Sequence, residues 1–510
     1  MIVPTRRALA ILAGFWLALL PLFALWLWLD RGIAAWDPSM HAGLVLRLHD
    51  GLLKLNPWRA YELSRFYPPL FHLLAVPAAF VSTHPDAYCF GNWVTLLALL
   101  WLTFFLGRTL AGTAAGLAAA FVLPGFAYVA WMGRMAMTDL TLAATVTFTL
   151  WLLVRPIDLA DVRQARLLGL SIALGLLAKW PYVLFTAVPL AHALWRYHRT
   201  AARTAQAAAF RRSIAHLLLW PILLAGPWYV RSVPSLVGKA SWHLGSGVAA
   251  DEGDPPVWSV ASLEYYARQL WFDYLRIPLL LLFAAGVVVL VLAWLQRRRR
   301  PETTIAPAAR WAPLGLSAAS GLASLVLIAN KDPRYLLPFM PIVAVVCGAA
   351  LAALRPNAQG RALTACAMLG WLLAADDLFR LAPPDPTDWK LDDVAELVLP
   401  HLDASATPLR VLVVPNDEHM NFTSLGYALL RRSRAKSEVE RVGHLVDEAT
   451  LTTFALAVVV VPPPDETPLS QGTQAAARLL LSRPDWRVES RVTRGDGREI
   501  LLLARDASGA

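Results

Sequence analysis

Charge is scarce in this chain. Of its 510 residues only 16% are Asp, Glu, Lys or Arg, whereas 57% are hydrophobic. The mean hydropathy of +0.50 excludes an ordinary soluble globular protein. Cysteine is scarcer still: Cys89, Cys347 and Cys366 lie within or beside apolar stretches, and three scattered thiols give neither a disulfide framework nor a metal-ligand spacing. They read as packing residues. Also missing are a phosphate-cradling glycine-rich loop and a sustained internal repeat, the mark of an inverted-repeat transporter. The formal charge of +10 does not imply nucleic acid, because the basic residues sit in short clusters between apolar runs, where the positive-inside rule accounts for them.

What is present is a succession of long apolar runs, so the chain reads as an α-helical polytopic membrane protein. Arg6 and Arg7 precede a run from Ala8 to Leu29 that is too long and too rich in tryptophan for a cleaved signal; it predicts a retained first span with its N-terminus inside. Further spans are expected near 90–107, 113–131, 138–154, 166–179, 180–196, 213–230, 274–295, 311–329, 335–354 and 361–380, about eleven in all. The stretch "YPPLFHLLAVPAAFVS" at 67–82 is short and holds three prolines and His72. Read as an interfacial or re-entrant helix, it places Arg108, the Arg155/Arg163/Arg166 group, the Arg196-to-Arg212 loop, the four arginines at 297–300, Arg355 and Arg361 on the inner side. Residues 30–89, 231–273 and the segment from about 384 onward then face outward.

The C-terminal segment has a different pattern. "PLRVLVVPN" and "FALAVVVVPPP" predict buried strands, "FTSLGYALLRR" and "QGTQAAARLLLSR" amphipathic helices, and "WRVESRV" with "REILLLAR" a closing hairpin around "RGDG". The expected organisation is a membrane module over 1–383, including the loops 30–89 and 231–273, and a small outer α/β domain over 384–510 joined through "LAPPDPTDW".

The few charges of the membrane part gather at the predicted outer ends. In "WDPSMH", Asp37 and His41 are four apart and share a face if a helix begins at Pro38, where Asp37 could serve as a cap. In "MGRMAMTDLTLA", Arg134 and Asp139 are five apart, about 140° around an ideal helix, so a turn is expected there, with Asp139 capping the following span. Charges at mid-bilayer cost about 2.5–3.5 kcal/mol on insertion scales, so such residues mark a polar cavity. "NKDPRY" offers Asp332 as cap and Pro333 as first helical residue, leaving Lys331, Arg334 and Tyr335 at a helix N-terminus suited to an anion. Lys179 in "LLAKWPY" is a further phosphate candidate or an interface anchor. Lys239, His243, Asp251, Glu252, Asp254 and Glu264 lie in the loop 231–273 without a metal-ligand spacing, and "VVPNDEHMNF" follows a strand, a common ligand position in α/β sheets.

Taken in order, "WDPSMH", "YPPL" at 67–70, "RMAMTD", "LLAKWPY" and "KDPRYLLPFMP" resemble the GT-C glycosyltransferases, in particular the protein O-mannosyltransferase and aminoarabinose (ArnT-like) transferase group, over residues 8–380. That resemblance implies an inverting, metal-assisted or metal-independent transferase taking a sugar from a polyprenyl phosphate. Asp37 would be base or acceptor-orienting carboxylate and Asp139 its assistant, with His41, Tyr67, Arg134, Lys179, Lys331, Arg334 and Tyr335 around the substrate. The family commonly carries a paired acidic "DE" after the first span, whereas Pro38 follows Asp37 here. Implied partners are membrane lipids, the polyprenyl-phosphate sugar and an acceptor glycolipid or protein, with the outer domain on the periplasmic side of a bacterial-type inner membrane. The chemistry agrees independently: a base removes the acceptor's hydroxyl proton while cations stabilise the departing phosphate. The main rival is a transporter or flippase for an anionic lipid-linked metabolite, which calls for charges at the midplane of broken helices rather than at span ends. A membrane-anchored scaffold is a third reading, and it leaves the loop charges without a purpose.

Overall fold

The computed structural model describes residues 4–506 apart from 33, 57, 59–61, 63, 65, 156–160, 204–206, 246–248, 250–252, 298–305, 406–408, 415, 416, 418, 434–437, 442–450, 452 and 466–471. Asp251, Glu252, Asn416, Glu418 and most of the four-arginine run lie outside the described residues.

Each expected apolar stretch is helical, as a chain in lipid must be when its backbone N–H and C=O groups can pair only with one another. Among the described residues six helices are long and apolar enough to cross a membrane: Thr5–Leu29, Pro85–Ala111, Arg211–Gly238, Ile277–Gln296, Pro333–Ala353 and Pro356–Leu381. Leu70–Ala79, Thr113–Gly125 and Asp139–Val154 are shorter apolar helices. Helix Leu70–Ala79 has ten residues, about 15 Å at 1.5 Å per residue and half a hydrocarbon core. Its length agrees with setting 67–82 apart from the spans.

Two stretches depart from expectation. The run 113–131 is not one helix but Thr113–Val122, a tight turn at Leu123–Gly125 and a short helix Val129–Gly133. Pro124 and Gly125 break it, and Tyr128 takes a left-handed conformation (φ 64°) before the chain turns back into helix. The segment 231–273, expected as a loop, is largely helical: the helix Gly226–Gly245 runs into it and Val260–Arg268 lies within it, capped by the Ser259 hydroxyl accepting from the Ser262 N–H at 3.0 Å.

The chain divides into two compact units. The first comprises Met1–Ala24, Leu55–Ala75 and Cys89–Pro383; the second comprises Leu25–Lys54, Val76–Tyr88 and Pro384–Ala510. The second unit is built on strands β1 (Arg410–Val414), β2 (Glu438–Arg441), β3 (Leu456–Val461), β4 (Trp486–Thr493) and β5 (Glu499–Arg505), in the order β2-β1-β3-β5-β4. β1 pairs in parallel with β2 and β3, while β5 pairs antiparallel with β3 and β4. The near-continuous apolar runs of β1 and β3 suit strands covered on both faces. Val411, Val413 and Val458 pack with Val394, Val398, Leu425 and Leu429 of the helices Leu391–Ala404 and Phe422–Ser433. Leu412, Val414 and Val459 meet Phe454 and helix Thr473–Ser482 through Ala476 and Leu480. The expected strands, helices and hairpin are present; β2 and the helix Leu391–Ala404 are additional. Gly497 takes φ 85° in the hairpin turn, a conformation that glycine alone adopts cheaply.

Two pieces from the N-terminal part of the chain belong to this second unit. Helix Asp37–Leu53 packs on Phe422–Ser433, with Gly43 facing Tyr427 and Leu430. The Tyr427 hydroxyl donates to the Thr83 carbonyl at 2.7 Å, and the Asp385 N–H donates to Asp30 Oδ1 at 2.7 Å.

Candidate functional site

The turn 134–138 of the first unit links helix Val129–Gly133 to helix Asp139–Val154. Its shape is imposed by one side chain far away in sequence. The amide of Asn92, fully buried, donates to the carbonyls of Met132 (3.0 Å), Met135 (2.7 Å) and Met137 (3.0 Å), tying three acceptors at the turn to one point. Just before the turn, the Trp131 N–H donates to Asp377 Oδ2 at 3.2 Å.

The turn presents two of the sequence-selected residues. Arg134 lies over the Trp131 ring, its Cζ 5.5 Å from the centroid. Asp139 does not cap its helix as expected: Thr138 occupies the cap position without a side-chain bond. The Asp139 carboxylate instead accepts from Lys179 Nζ at 2.7 Å, with the two side chains 2% and 13% exposed. A carboxylate that deep needs a cation more than a helix end needs a cap. Lys179 is held at the close of helix Val162–Ala178, where its N–H donates to the Gly175 carbonyl at 3.3 Å. A Cβ on Gly175 would stand 2.2 Å from the Tyr182 ring, so this tight junction needs glycine there.

The segment 330–335 meets this cluster. Lys179 Nζ stands 5.7 Å from the Tyr335 ring centre, and Arg334 Nη1 is 3.9 Å from Met137 Sδ. Asp332 and Pro333 are cap and first residue as expected, with Asp332 Oδ1 accepting from the Arg334 N–H at 2.8 Å. The same carboxylate takes the Arg334 guanidinium through Nε at 2.7 Å and through Nη2. The element that follows, Pro333–Phe339, is a tight 3₁₀ helix rather than an α-helix, and its first amides already donate to Asp332. The side chain of Arg334, rather than free backbone N–H groups, is what this turn could offer an anion. The Tyr335 hydroxyl donates to Asn330 Oδ1 at 3.2 Å.

Lys331 points elsewhere. Its ammonium donates to the carbonyls of Leu325 (3.1 Å), Val326 (3.2 Å) and Ile328 at the end of helix Ala308–Leu327, and its own N–H donates to Asp254 Oδ2 at 2.7 Å. Burial lowers the Lys331 pKa and raises that of Asp254, each partly offset by the other. Tyr67, also in the first unit, packs edge-on against Phe66 at 4.8 Å. Asp37 and His41 belong to the second unit, on successive turns of helix Asp37–Leu53 that starts at Asp37 itself behind Trp36; His41 is 1% exposed.

Asn92, Arg276, Asp376 and Asp377 were not selected from the sequence. Arg276 bonds Asp376 Oδ2 at 2.7 Å and Asp377 Oδ1 at 3.4 Å. The signal available was the pair "DD" closing an apolar run, since carboxylates at that position need a partner. Among the described residues no three His, Cys, Asp or Glu side chains come together as metal ligands.

The helices and the small C-terminal sheet domain together give this chain a GT-C, ArnT-like fold. It is similar to ArnT from Cupriavidus metallidurans, whose crystal structure bound to undecaprenyl phosphate superposes with a TM-score of 0.61 at 13% identity, over 97% of this chain and 98% of that one. The apo state of the same protein gives 0.60 at 12% identity with the same coverage. The cryo-EM structure of the arabinofuranosyltransferase AftD from Mycobacteria gives 0.50 at 13% identity, over 94% of this chain and 40% of that larger one. No family model and no curated protein sequence matches the chain.

Proposed function

We propose that this chain is a membrane glycosyltransferase that moves a sugar from a polyprenyl-phosphate donor to a hydroxyl acceptor on the outer face of a bacterial-type inner membrane, with inversion at the anomeric carbon. The observation carrying this reading is the Asp139–Lys179 pair, buried in a fold shared with ArnT, with Tyr335 beside Lys179 and Arg334 against Met137 of the turn that precedes Asp139. A pair that costs so much to bury is hard to explain as an anchor, and a lipid-linked phosphate suits the cations beside it. The neighbour's bound undecaprenyl phosphate supports that choice of donor.

In the proposed reaction the acceptor oxygen bonds to the anomeric carbon, the carbon–oxygen bond to phosphate breaks, and the hydroxyl proton passes to a carboxylate. Asp37 is that base, with His41 one turn away on the same helix. Arg134, Lys179 and Arg334 take up charge on the departing phosphate, while Asp139 holds the Lys179 ammonium. Tyr67 and Tyr335 complete the proposed substrate contacts, and Lys331 serves them indirectly by tying the segment 330–335 to the preceding helix. The acceptor is a glycolipid or a protein.

Asp37→Asn distinguishes transfer from mere binding. Reconstituted in lipid with a polyprenyl-phosphate sugar, the variant loses transfer by at least about a hundredfold, in the range of a lost general base, but still binds polyprenyl phosphate. Undiminished transfer would end the assignment of Asp37. Mass spectrometry of glycolipids and glycoproteins from cells with and without the chain identifies the acceptor.

A further inference from the structure

Beside Arg134, the first unit contains a polar group that the transferase reading has not used. The indole Nε1–H of Trp131 is buried and has no acceptor among the described residues, although the ring as a whole is partly exposed. An unpaired donor away from water costs about 1–3 kcal/mol, and one kept in a native structure calls for an explanation, which its neighbours here supply.

The rest of Trp131 is tied down. Its backbone N–H is held by Asp377, which is 3% exposed and paired with Arg276. Arg276 is fixed in turn by Asp376 at 2.7 Å and by the Leu373 carbonyl at 3.3 Å. The indole ring packs 4.7 Å from Tyr128, which stacks on Tyr274 at 5.2 Å and 26°, and Arg134 stands over the indole. Tyr128 is left-handed, a conformation that costs about 1–3 kcal/mol for a non-glycine residue and persists only where its surroundings enforce it. The result is a hydrogen-bond donor beside a guanidinium and aromatic rings, all set by a charge network further down the chain. Aromatic faces and an oriented donor suit the oxygen-rich headgroup of a sugar phosphate.

We infer that Trp131 is a ligand-contacting residue whose indole N–H donates to an oxygen of the donor's sugar-phosphate headgroup, and that Asp377, tied to Arg276, is the positioning residue that holds it there. This rests on the transferase reading for the identity of the ligand. The oxygen belongs either to the phosphate or to a sugar hydroxyl, and the two arms of the experiment separate them.

Trp131→Phe removes the N–H and keeps an aromatic ring. In the full chain in lipid nanodiscs, KM for the polyprenyl-phosphate sugar rises about tenfold, the effect of one lost hydrogen bond, with an unchanged melting temperature. A parallel weakening of Kd for polyprenyl phosphate without sugar assigns the bond to phosphate; an unchanged Kd assigns it to the sugar. Asp377→Asn keeps an oxygen for the Trp131 N–H and retains most activity, whereas Asp377→Ala raises KM as Trp131→Phe does. Active wild-type enzyme with KM and Kd both unmoved in Trp131→Phe overturns the contact. A loss in Asp377→Ala that tracks the folded fraction and is not rescued by asparagine overturns the positioning role. Absence of wild-type transfer, with Kd for polyprenyl phosphate still sensitive to Trp131→Phe, sinks the transferase reading alone.

Discussion

The turns at 134–139 and 332–334 both place an arginine and an aspartate at the end of an apolar helix, and they resolve the charge differently. At 332–334 the partners are two residues apart: Asp332 caps the helix and holds Arg334 in the same fold of chain. Asp139 turns to Lys179, 40 residues on, and Arg134 lies on an indole. A local pair forms with its own turn and can be built almost anywhere. A pair closed across 40 residues requires the helices Asp139–Val154 and Val162–Ala178 to be packed first, so it stores tertiary structure in a single contact. The lesson is one of cost: the non-local pair is the more buried of the two, with Asp139 2% and Lys179 13% exposed against 18% and 22% for Asp332 and Arg334.

Breaking the non-local pair should therefore have the largest effect. Lys179→Met removes the ammonium that bonds the buried Asp139 carboxylate, a loss of about 3–5 kcal/mol in comparable buried pairs. Thermal unfolding in detergent should show it as a large drop in melting temperature, with transfer activity abolished. The double variant Asp139→Leu with Lys179→Met removes both charges and should recover much of the stability while remaining inactive. Recovery of activity along with stability would show that the pair is only structural.

The local turn should break more gently. Asp332→Ala removes a cap, worth about 1 kcal/mol, and releases the Arg334 guanidinium from its tether. A modest fall in melting temperature and a rise in donor KM of about tenfold are expected. Arg334→Lys keeps the charge but not the fork, so it should lose affinity for the phosphate while leaving the cap intact. Equal melting losses in Asp332→Ala and Lys179→Met would erase the distinction between the two turns.

The same distinction governs how much could be read in advance. The strands β1 and β3, the amphipathic helices and the hairpin at "RGDG" are visible because apolar periodicity and turn chemistry act within a few residues. Asp332 before Pro333 is legible as a cap for the same reason. Lys179 and Asp139 could each be picked out as charges at span ends, but nothing in either stretch names the other as partner. Asn92 is a single amide in an apolar run, and its three carbonyl acceptors exist only once the run 113–131 has broken. That break is foreshadowed by Pro124 and Gly125, yet span-length reasoning smooths over a single Pro-Gly. Asp377 follows the same logic, since its partner Arg276 lies 101 residues away. The union of residues 25–54 and 76–88 with the C-terminal sheet is likewise a matter of tertiary contact that local patterns do not contain.

The second unit supplies a control for the local case, with an expected effect smaller than either. In the β4–β5 turn Arg494 and Asp496 are two residues apart, as Asp332 and Arg334 are, and Arg494 Nε donates to Asp496 Oδ1 at 2.9 Å. That bond is the main reason the Asp496 carboxyl titrates at about 2 instead of its ordinary 3.8. A carboxylate with a depressed pKa stabilises the fold fully above its unfolded value and ceases to do so as the pH falls through its folded one. The contribution of Asp496 should thus be complete above about pH 5 and vanish near pH 2, a window set by those two values. Asp496→Asn should lower the melting temperature of this unit by a few degrees near neutrality, an effect on the order of 1 kcal/mol, and the gap to wild type should close as acid is added. A gap that persisted at the acid end would mean that the turn depends on the shape of the aspartate side chain rather than its charge, and the parallel with Asp332 would then rest on capping geometry alone.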